Sequence, residues 1–280
     1  MGFGGNLMWT AVFREIWKRE NNPELKLLIT SNGNIRKDDL WINNPYITYN
    51  PNYKPIKLID LSKLDKLGHG TLIPQKSNHI YDTYLDNKHI IQNRCSFFGI
   101  QDPDLKCDLF FTNSEIKKIE SLVKKLPKFI CIEPHSKNTY TKNKFYPFDK
   151  WQKIRKSIKD IMVIQVGVSG KKILDNVFDL TGKLTFRETA LLLKYSSLFI
   201  GVEGGLGHCC NAVECPAILI VPSIFKPNLT SYPENINIWL GTKEHFGCGM
   251  KLKCEKCHTI INNHDEYIII EKILERLQSL

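Results

Sequence analysis

Hydrophobic positions along this chain fall into two textures. In the second half they come as short solid runs: KFICIEP, DIMVIQVG, LFIGVE and PAILIV. Runs of this length, bounded by Gly, Pro or a carboxylate, predict strands buried on both faces. Between them lie stretches with apolar residues three and four apart: NSEIKKIESLVKKL, FDKWQKIRKSI, FRETALLLKYSS and GLGHCCNAV. These predict helices, the first opening at Asn113 and stopping before Pro127. NVFDLTG adds a short strand, and EYIIIEKILERLQSL predicts an amphipathic helix near the end of the sequence. Strict alternation of strand and helix predicts a parallel, doubly wound sheet.

The first half is less regular. Residues 7–19 predict an amphipathic helix, and LKLLITS a buried strand ended by Asn32 and Gly33. PYITYNP and KLIDL are further strands, separated by Asn- and Pro-rich turns. Residues 84–98 predict a helix with Gly99 as its C-cap. The change of texture near residues 110–115 predicts an α/β protein of two Rossmann-like, doubly wound domains, 1–112 and 113–280, facing a cleft.

The opening GFGGN reads as a glycine turn feeding a helix, a joint that normally follows the first strand of a nucleotide-binding unit. Only Met1 precedes it. The first strand of the N-terminal domain is thus expected to be missing. Because that strand is central, its loss should leave unpaired backbone groups across a gap. The true start lies upstream, another segment fills the slot, or the first domain is degraded; the first reading is favoured.

Hydrophobic residues at 42% and charged residues at 24% exclude a disordered chain. The formal net charge is +10, but the lysines are spread along the sequence. Solvated faces account for that charge as well as an anionic substrate, a nucleotide or an anionic membrane surface does. No zinc-finger, homeodomain or RNA-recognition signature is present, so nucleic acid is not expected as a partner. No apolar run reaches the ~18 residues needed to span a bilayer, and no secretory leader is seen. Nine cysteines in such a chain read as reduced cytosolic thiols, placing the protein in the cytoplasm, where its positive charge allows peripheral contact with an anionic membrane.

Three stretches carry chemistry. In LFIGVEGGLGHCCNAV a buried strand ends at Glu203, Gly204 and Gly205 allow a tight turn, and a helix opens near His208. Free N–H groups at such a helix start favour a phosphate; alone, the glycines would serve packing only. Glu203 and His208 at the same strand end tip the reading toward a site. In FICIEPHSKNTYTKNKFYPFDKW the strand runs into a polar loop with His135, Ser136, Lys137, Lys142 and Lys144, suited to a diphosphate or simply exposed. In DLTGKLTFRETALLL, Glu188 sits in the first turns of a helix, where it either bonds a ribose hydroxyl or stabilises the helix start. A fourth constellation is FGCGMKLKCEKCHTI: Cys248, Cys254 and Cys257, with His258 adjacent. The C-x2-C pair suits structural zinc or iron, or the three are loop thiols; no fourth ligand is evident. Cys209 and Cys210 read as core.

These stretches, in this order, resemble glycosyltransferase family 9, the heptosyltransferases of lipopolysaccharide core assembly. The shared patterns are the N-terminal glycine turn with helix, the Ser/Lys loop before a Pro-x-x-x-Trp helix, the DLTGK turn with a later Glu, and an acidic-x-Gly-x-x-His helix start. The resemblance implies a GT-B fold and inverting transfer of a sugar to an acceptor hydroxyl. ADP-heptose is the implied donor, and a lipopolysaccharide core or other surface glycan the implied acceptor. No catalytic cofactor is implied. It places Ser136 and Lys144 near the donor diphosphate, Glu188 near the nucleoside, and Glu203, Gly204, Gly205 and His208 at the phosphate-binding helix start. It also implies iron or zinc at the cysteines.

Two departures matter. Asn6 stands where many heptosyltransferases carry the aspartate base, and an amide cannot take a proton at neutral pH. His69, His79 and Asp82 are the substitutes considered, with His79 and Asp82 kept beside Asn6 as the catalytic set. Glu203 stands for the more usual aspartate. A catalytically impaired nucleotide-sugar-binding relative and a GT-B nucleotide-sugar epimerase are the alternatives.

Overall fold

In the computed structural model the chain is described over residues 2–66, 88–136, 141–224, 226–245, 247–250 and 252–278. Its first half comprises α1 (Phe3–Glu20), β1 (Lys26–Ser31), β2 (Asn34–Ile35), a 3-10 turn at Asp39–Trp41, β3 (Ile47–Thr48), β4 (Ile56–Asp60), α2 (Leu61–Lys66) and α3 (Ile90–Phe97). No strand precedes α1 among the described residues. Strand β1 is central. β4 runs parallel along one edge from Lys26 to Thr30. The other edge is shared by β3, parallel at Leu27 and Leu28, and by β2, antiparallel at Thr30 and Ser31. Both edges of β1 are therefore taken, and the gap anticipated at the sheet centre is not found beside it. PYITYNP shrinks to the two paired residues of β3, because prolines at both ends remove ladder donors.

Helix α1 starts earlier than its apolar pattern suggests and is not amphipathic in use: every residue from Asn6 to Ile16 is buried. A helix enclosed on all sides lies between layers, and α1 packs on β1 and α3 and, across the molecule, on the second half. Its Arg14 donates to the carbonyls of Asp104 (2.9 Å) and Lys106 (2.7 Å) and to the Asp108 carboxylate (2.7 Å). Residues 98–112, which have no regular structure, are thereby pinned to the first helix.

The second half runs α4 (Asn113–Val123), β5 (Phe129–Glu133), α5 (Phe148–Ser157), β6 (Met162–Gln165), β7 (Phe178–Asp179), α6 (Phe186–Tyr195), β8 (Phe199–Val202), α7 (Gly205–Val213), β9 (Ala217–Val221), α8 (Pro227–Thr230), β10 (Ile236–Trp239), α9 (Glu255–Asn263) and α10 (Tyr267–Gln278). Its six strands are ordered β10-β9-β8-β5-β6-β7, and every pair is parallel. Counted from β5, that is the 3-2-1-4-5-6 order of the Rossmann sheet. The two-residue period sorts the strands between two cores. Phe129, Cys131, Phe199, Ala217 and Leu219 face α6 and α7. Ile130, Ile132, Ile200, Val202, Ile218 and Ile220 face Trp151 and Ile154 of α5 and Ile269, Ile270 and Ile273 of α10. The first of these cores also takes in Leu7, Val12 and Phe13 of α1, Leu27 and Ile29 of β1, and Ile91. The two sheets thus share one continuous core. No helix among the described residues is long and apolar enough to cross a membrane.

Candidate active site

Sheet order decides where a ligand can sit. In an open parallel sheet the crossovers change direction at one point, and a crevice opens beyond the carboxyl ends of the strands there. In this sheet the point lies between β5 and β8. β5 ends at Glu133, and β8 is followed directly by Glu203. The loop after β5 returns Lys144 to this crevice, where its Nζ lies 2.5 Å from Oε2 of Glu203. Both side chains are nearly closed off from solvent, at 13% and 5% exposure. Burial, the largest influence, opposes ionisation of Glu203, but Lys144, His208 and Thr230 together offset it and hold the carboxyl below its ordinary range. Burial pushes the Glu133 carboxyl up, against the pull of the same lysine.

Gly204 and Gly205 open α7, and no side chain caps it. A Cβ on Gly205 would meet the Phe186 ring at 3.2 Å and the backbone N of Gly4 at 3.7 Å. The glycine-rich start of α1, also without a side-chain cap, therefore abuts the start of α7. Phe3 stacks on Phe186 at 4.4 Å between ring centroids. His208 closes the inner side of this junction, where a Cβ on Gly4 would lie 2.6 Å from its ring. Its Nδ1 shares a hydrogen bond with the Tyr232 hydroxyl (2.7 Å), which also contacts the Cys107 sulfur at 3.3 Å. Burial lowers His208 to about 4 and the neighbouring His89 to about 3, so both are neutral at pH 7. Two helix starts that no side chain caps, beside the buried Lys144–Glu203 pair, suit a phosphorylated anion.

The expected site residues separate on inspection. Lys144, Glu203, Gly204, Gly205 and His208 come together. Ser136 lies three residues beyond β5, partly exposed on the same loop. Glu188 is engaged otherwise: its backbone and side chain close a capping box with Thr185, and it accepts from Lys118 at 2.7 Å. Of the two roles open for Glu188, the structure shows the helix cap. Asn6 is buried near the start of α1. His69, His79 and Asp82 lie outside the described residues.

The cysteine cluster acquires the ligand that the sequence left open. It is His245, whose ligand atom lies with the sulfurs of Cys248, Cys254 and Cys257 within a span of 4.8 Å. The closest approaches are 3.1 Å from His245 Nε2 to Cys257, 3.3 Å from Cys248 to Cys257, and 3.5 Å from Cys254 to His245. A tetrahedral ion with ~2.3 Å metal–sulfur bonds needs ligand atoms roughly 3.5–3.8 Å apart, so one imidazole and three thiolates fit zinc or iron here. The adjacent His258 turns away and meets the Lys142 carbonyl at 3.1 Å. The cluster is also tied to the crevice. Asn143, fully buried, donates to the carbonyls of Met250 (2.8 Å) and Leu252 (2.6 Å) and accepts from the Cys254 N–H (2.7 Å). Thr141 adds a bond to Met250 at 2.9 Å. The residue before Lys144 is thus fastened to the cysteine loop. Sequence spacing gave no sign of this, because the partners are over a hundred positions apart.

No protein-family model matches the sequence, and comparison with curated proteins finds no match. Solved structures do match. An iron-containing dodecameric glycosyltransferase, TibC of enterotoxigenic E. coli, is 15% identical over 100% of this chain and 74% of its own, with a TM-score of 0.68. A family 9 glycosyl transferase of Veillonella parvula is 12% identical over 100% of this chain and 95% of its own, with a TM-score of 0.67. The E. coli ADP-heptose lipopolysaccharide heptosyltransferase II is 13% identical over 99% and 96%, with a TM-score of 0.61. At such identities the likeness is one of fold: the chain has the GT-B-like architecture of these glycosyltransferases.

Proposed function

We propose that this chain is an inverting glycosyltransferase that moves a sugar from a nucleotide diphosphate donor to an acceptor hydroxyl. The observation that carries the reading is the Lys144–Glu203 pair at the sheet's switch point, set against two facing, uncapped helix starts. As the glycosidic bond breaks, positive charge spreads over the sugar ring and negative charge grows on the departing diphosphate. Lys144, Ser136 and the N–H groups after Glu203 would stabilise that charge without a catalytic metal ion. Residues 113–280 would form the donor domain and residues 1–112 the acceptor side, with Asn6 at their junction.

The donor proposed is ADP-heptose, the sugar nucleotide named for one structural neighbour and implied by the motif resemblance. A lipopolysaccharide core or other surface glycan is the proposed acceptor. The net charge of +10 suits a phosphorylated acceptor at an anionic membrane face, reached from the cytoplasm. His245, Cys248, Cys254 and Cys257 would hold zinc or iron in a structural role, and TibC is itself described as iron-containing.

Thermal unfolding with ADP, UDP, GDP and CMP in turn tests the reading. A nucleotide at ~100 times its Kd adds about 2.7 kcal/mol to the folded state, a rise of several degrees at this size. ADP is expected to raise the midpoint most, and ADP-heptose with a core oligosaccharide to release ADP. A midpoint indifferent to all four nucleotides overturns the proposal.

A further inference from the structure

Transfer to a hydroxyl requires a group that takes the acceptor's proton, and the amide of Asn6 cannot do so. What Asn6 does is visible in its contacts. Its Oδ1 accepts from Arg36 Nη2 at 3.0 Å, which fixes the amide orientation. Its Nδ2 then points at the carboxylate of Asp38, 2.5 Å from Oδ2. The other oxygen of Asp38 accepts from the N–H of Leu40 at 3.1 Å, capping the 3-10 turn. The carbonyl of the next residue, Asp39, accepts from Arg187 on α6 at 3.1 Å. This turn is therefore held where the two halves meet, bonded to Asn6, two residues along α1 from the Gly4 that meets His208.

The geometry points to Asp38 as the catalytic base of the transfer, supported by Asn6, with the carboxylate supplied from the 3-10 turn instead of from α1. The inference rests on the transferase reading above. In the step assigned to it, a carboxylate oxygen of Asp38 takes the acceptor's hydroxyl proton. The freed oxygen pair forms the new bond to the anomeric carbon, and the bond from that carbon to the diphosphate breaks, its electron pair leaving with the diphosphate. Two other carboxylates near this junction are already committed, Glu203 to Lys144 and Glu188 to its cap and Lys118, and Glu133 sits at the end of β5 on the donor side of the crevice. Asp38 stays partly open to solvent. The groups facing it are Asn6 of α1, Arg36, Asp39 and Tyr49. Burial, the largest influence, raises its carboxyl, while the Leu40 N–H, Arg36 and Asn6 pull it down; the net direction is up, toward a better base. An aspartate in place of Asn6 would set two carboxylates against each other, so the amide suits its neighbour.

The test compares the full-length chain with D38N, D38E and the exchanged pair N6D/D38N. The readouts are ADP release from ADP-heptose with a core oligosaccharide, and the thermal shift given by ADP alone. Loss of a base is worth ~10²–10⁴-fold. D38N is expected to lose at least a hundredfold in kcat while ADP still raises its midpoint as in wild type. D38E and the exchanged pair should each recover tenfold or more. The wild-type rate should fall on an acid limb lying above the ordinary carboxylate range. D38N within threefold of wild type overturns the assignment and leaves the transferase reading standing. Should D38N fail to fold, a wild-type pH–rate profile without that acid limb overturns it equally. A wild type that neither binds nor releases ADP removes the transferase reading, and this inference with it.

Discussion

Replacing Asn143 by alanine separates a structural cysteine loop from one that governs the crevice. The amide is fully buried and makes three bonds, at 2.8, 2.6 and 2.7 Å, to Met250, Leu252 and Cys254. Alanine strands the Leu252 carbonyl and the Cys254 N–H, while the Met250 carbonyl keeps its bond from Thr141. Each stranded group costs about 1–3 kcal/mol, and water entering the space left behind recovers part of that, so a total of roughly 2–5 kcal/mol is expected. At ~2 °C per kcal/mol for a chain of this length, the midpoint should fall by about 4–10 °C. The more telling effect is local. Lys144 follows directly on Asn143 and would lose its anchor. A charge-assisted hydrogen bond of ~1.5–3 kcal/mol to a diphosphate corresponds to about 10–150-fold in Kd. Calorimetric titration with ADP should show that loss for N143A and also for wild type stripped by a chelator. Because both perturbations release one clamp, their effects should not add. An N143A protein that takes up zinc or iron and binds ADP as wild type does would refute the coupling, and so would strict additivity.

Two further outcomes follow from the junction between the halves. His208 and His89, held near 4 and 3 by burial, have folded pKa values below the ~6.5 of an unfolded chain. The unfolded state therefore binds protons first: their stabilisation is full above about pH 6.5 and is lost as pH falls toward 4 and then 3, by up to a few kcal/mol each. Urea midpoints at pH 7.5, 6 and 5 should decline in that order, and a midpoint flat down to pH 5 contradicts it. Gly4→Ala places a methyl 2.6 Å from the His208 ring and should cost about 1–3 kcal/mol, whereas Gly2→Ala, with nothing within 4 Å, should be close to neutral; equal melting of the two would mean that the α1–α7 contact is loose.

The second sheet was legible because each of its longer strands is a solid apolar run buried from both sides, and each helix between them carries its own start signal. Thr112 with Glu115 and Thr185 with Glu188 form capping boxes that can be read from three-residue spacing. Elements whose signals are weak or shared were missed. β10 is four residues, INIW, of which only Ile238 is buried. α9 opens just after Cys254, inside a stretch that reads as a cysteine loop, although Cys257 and Ile261 are spaced as one helix face. The first sheet was misjudged for a different reason. Which strand occupies a sheet's centre depends on pairing, not local pattern, and β1, flanked on one edge by β4, fills its other edge with two-residue segments, β2 and β3, too short to carry periodicity.

The site shows the same division between local and distant information. Glycines at a strand end with a carboxylate and a histidine nearby announce a helix start built for an anion, and the fold brings Lys144 to it. What decides the chemistry around that start is set by residues far away in the chain, Asn143 against Met250 and Asp38 beneath Asn6, whereas His245, three positions before Cys248, lay within local reach of the cysteines it completes. The last pair shows why a single departure is a poor measure of lost activity. Asn6 taken alone removes a base. Asn6 with Arg36 on one side and Asp38 on the other orients a carboxylate two elements away, and the burial that makes an unpaired carboxylate costly is what raises Asp38 toward the range in which it can accept a proton. An amide at position 6 and a carboxylate at position 38 are therefore one device, and exchanging them together should be tolerated far better than changing either alone.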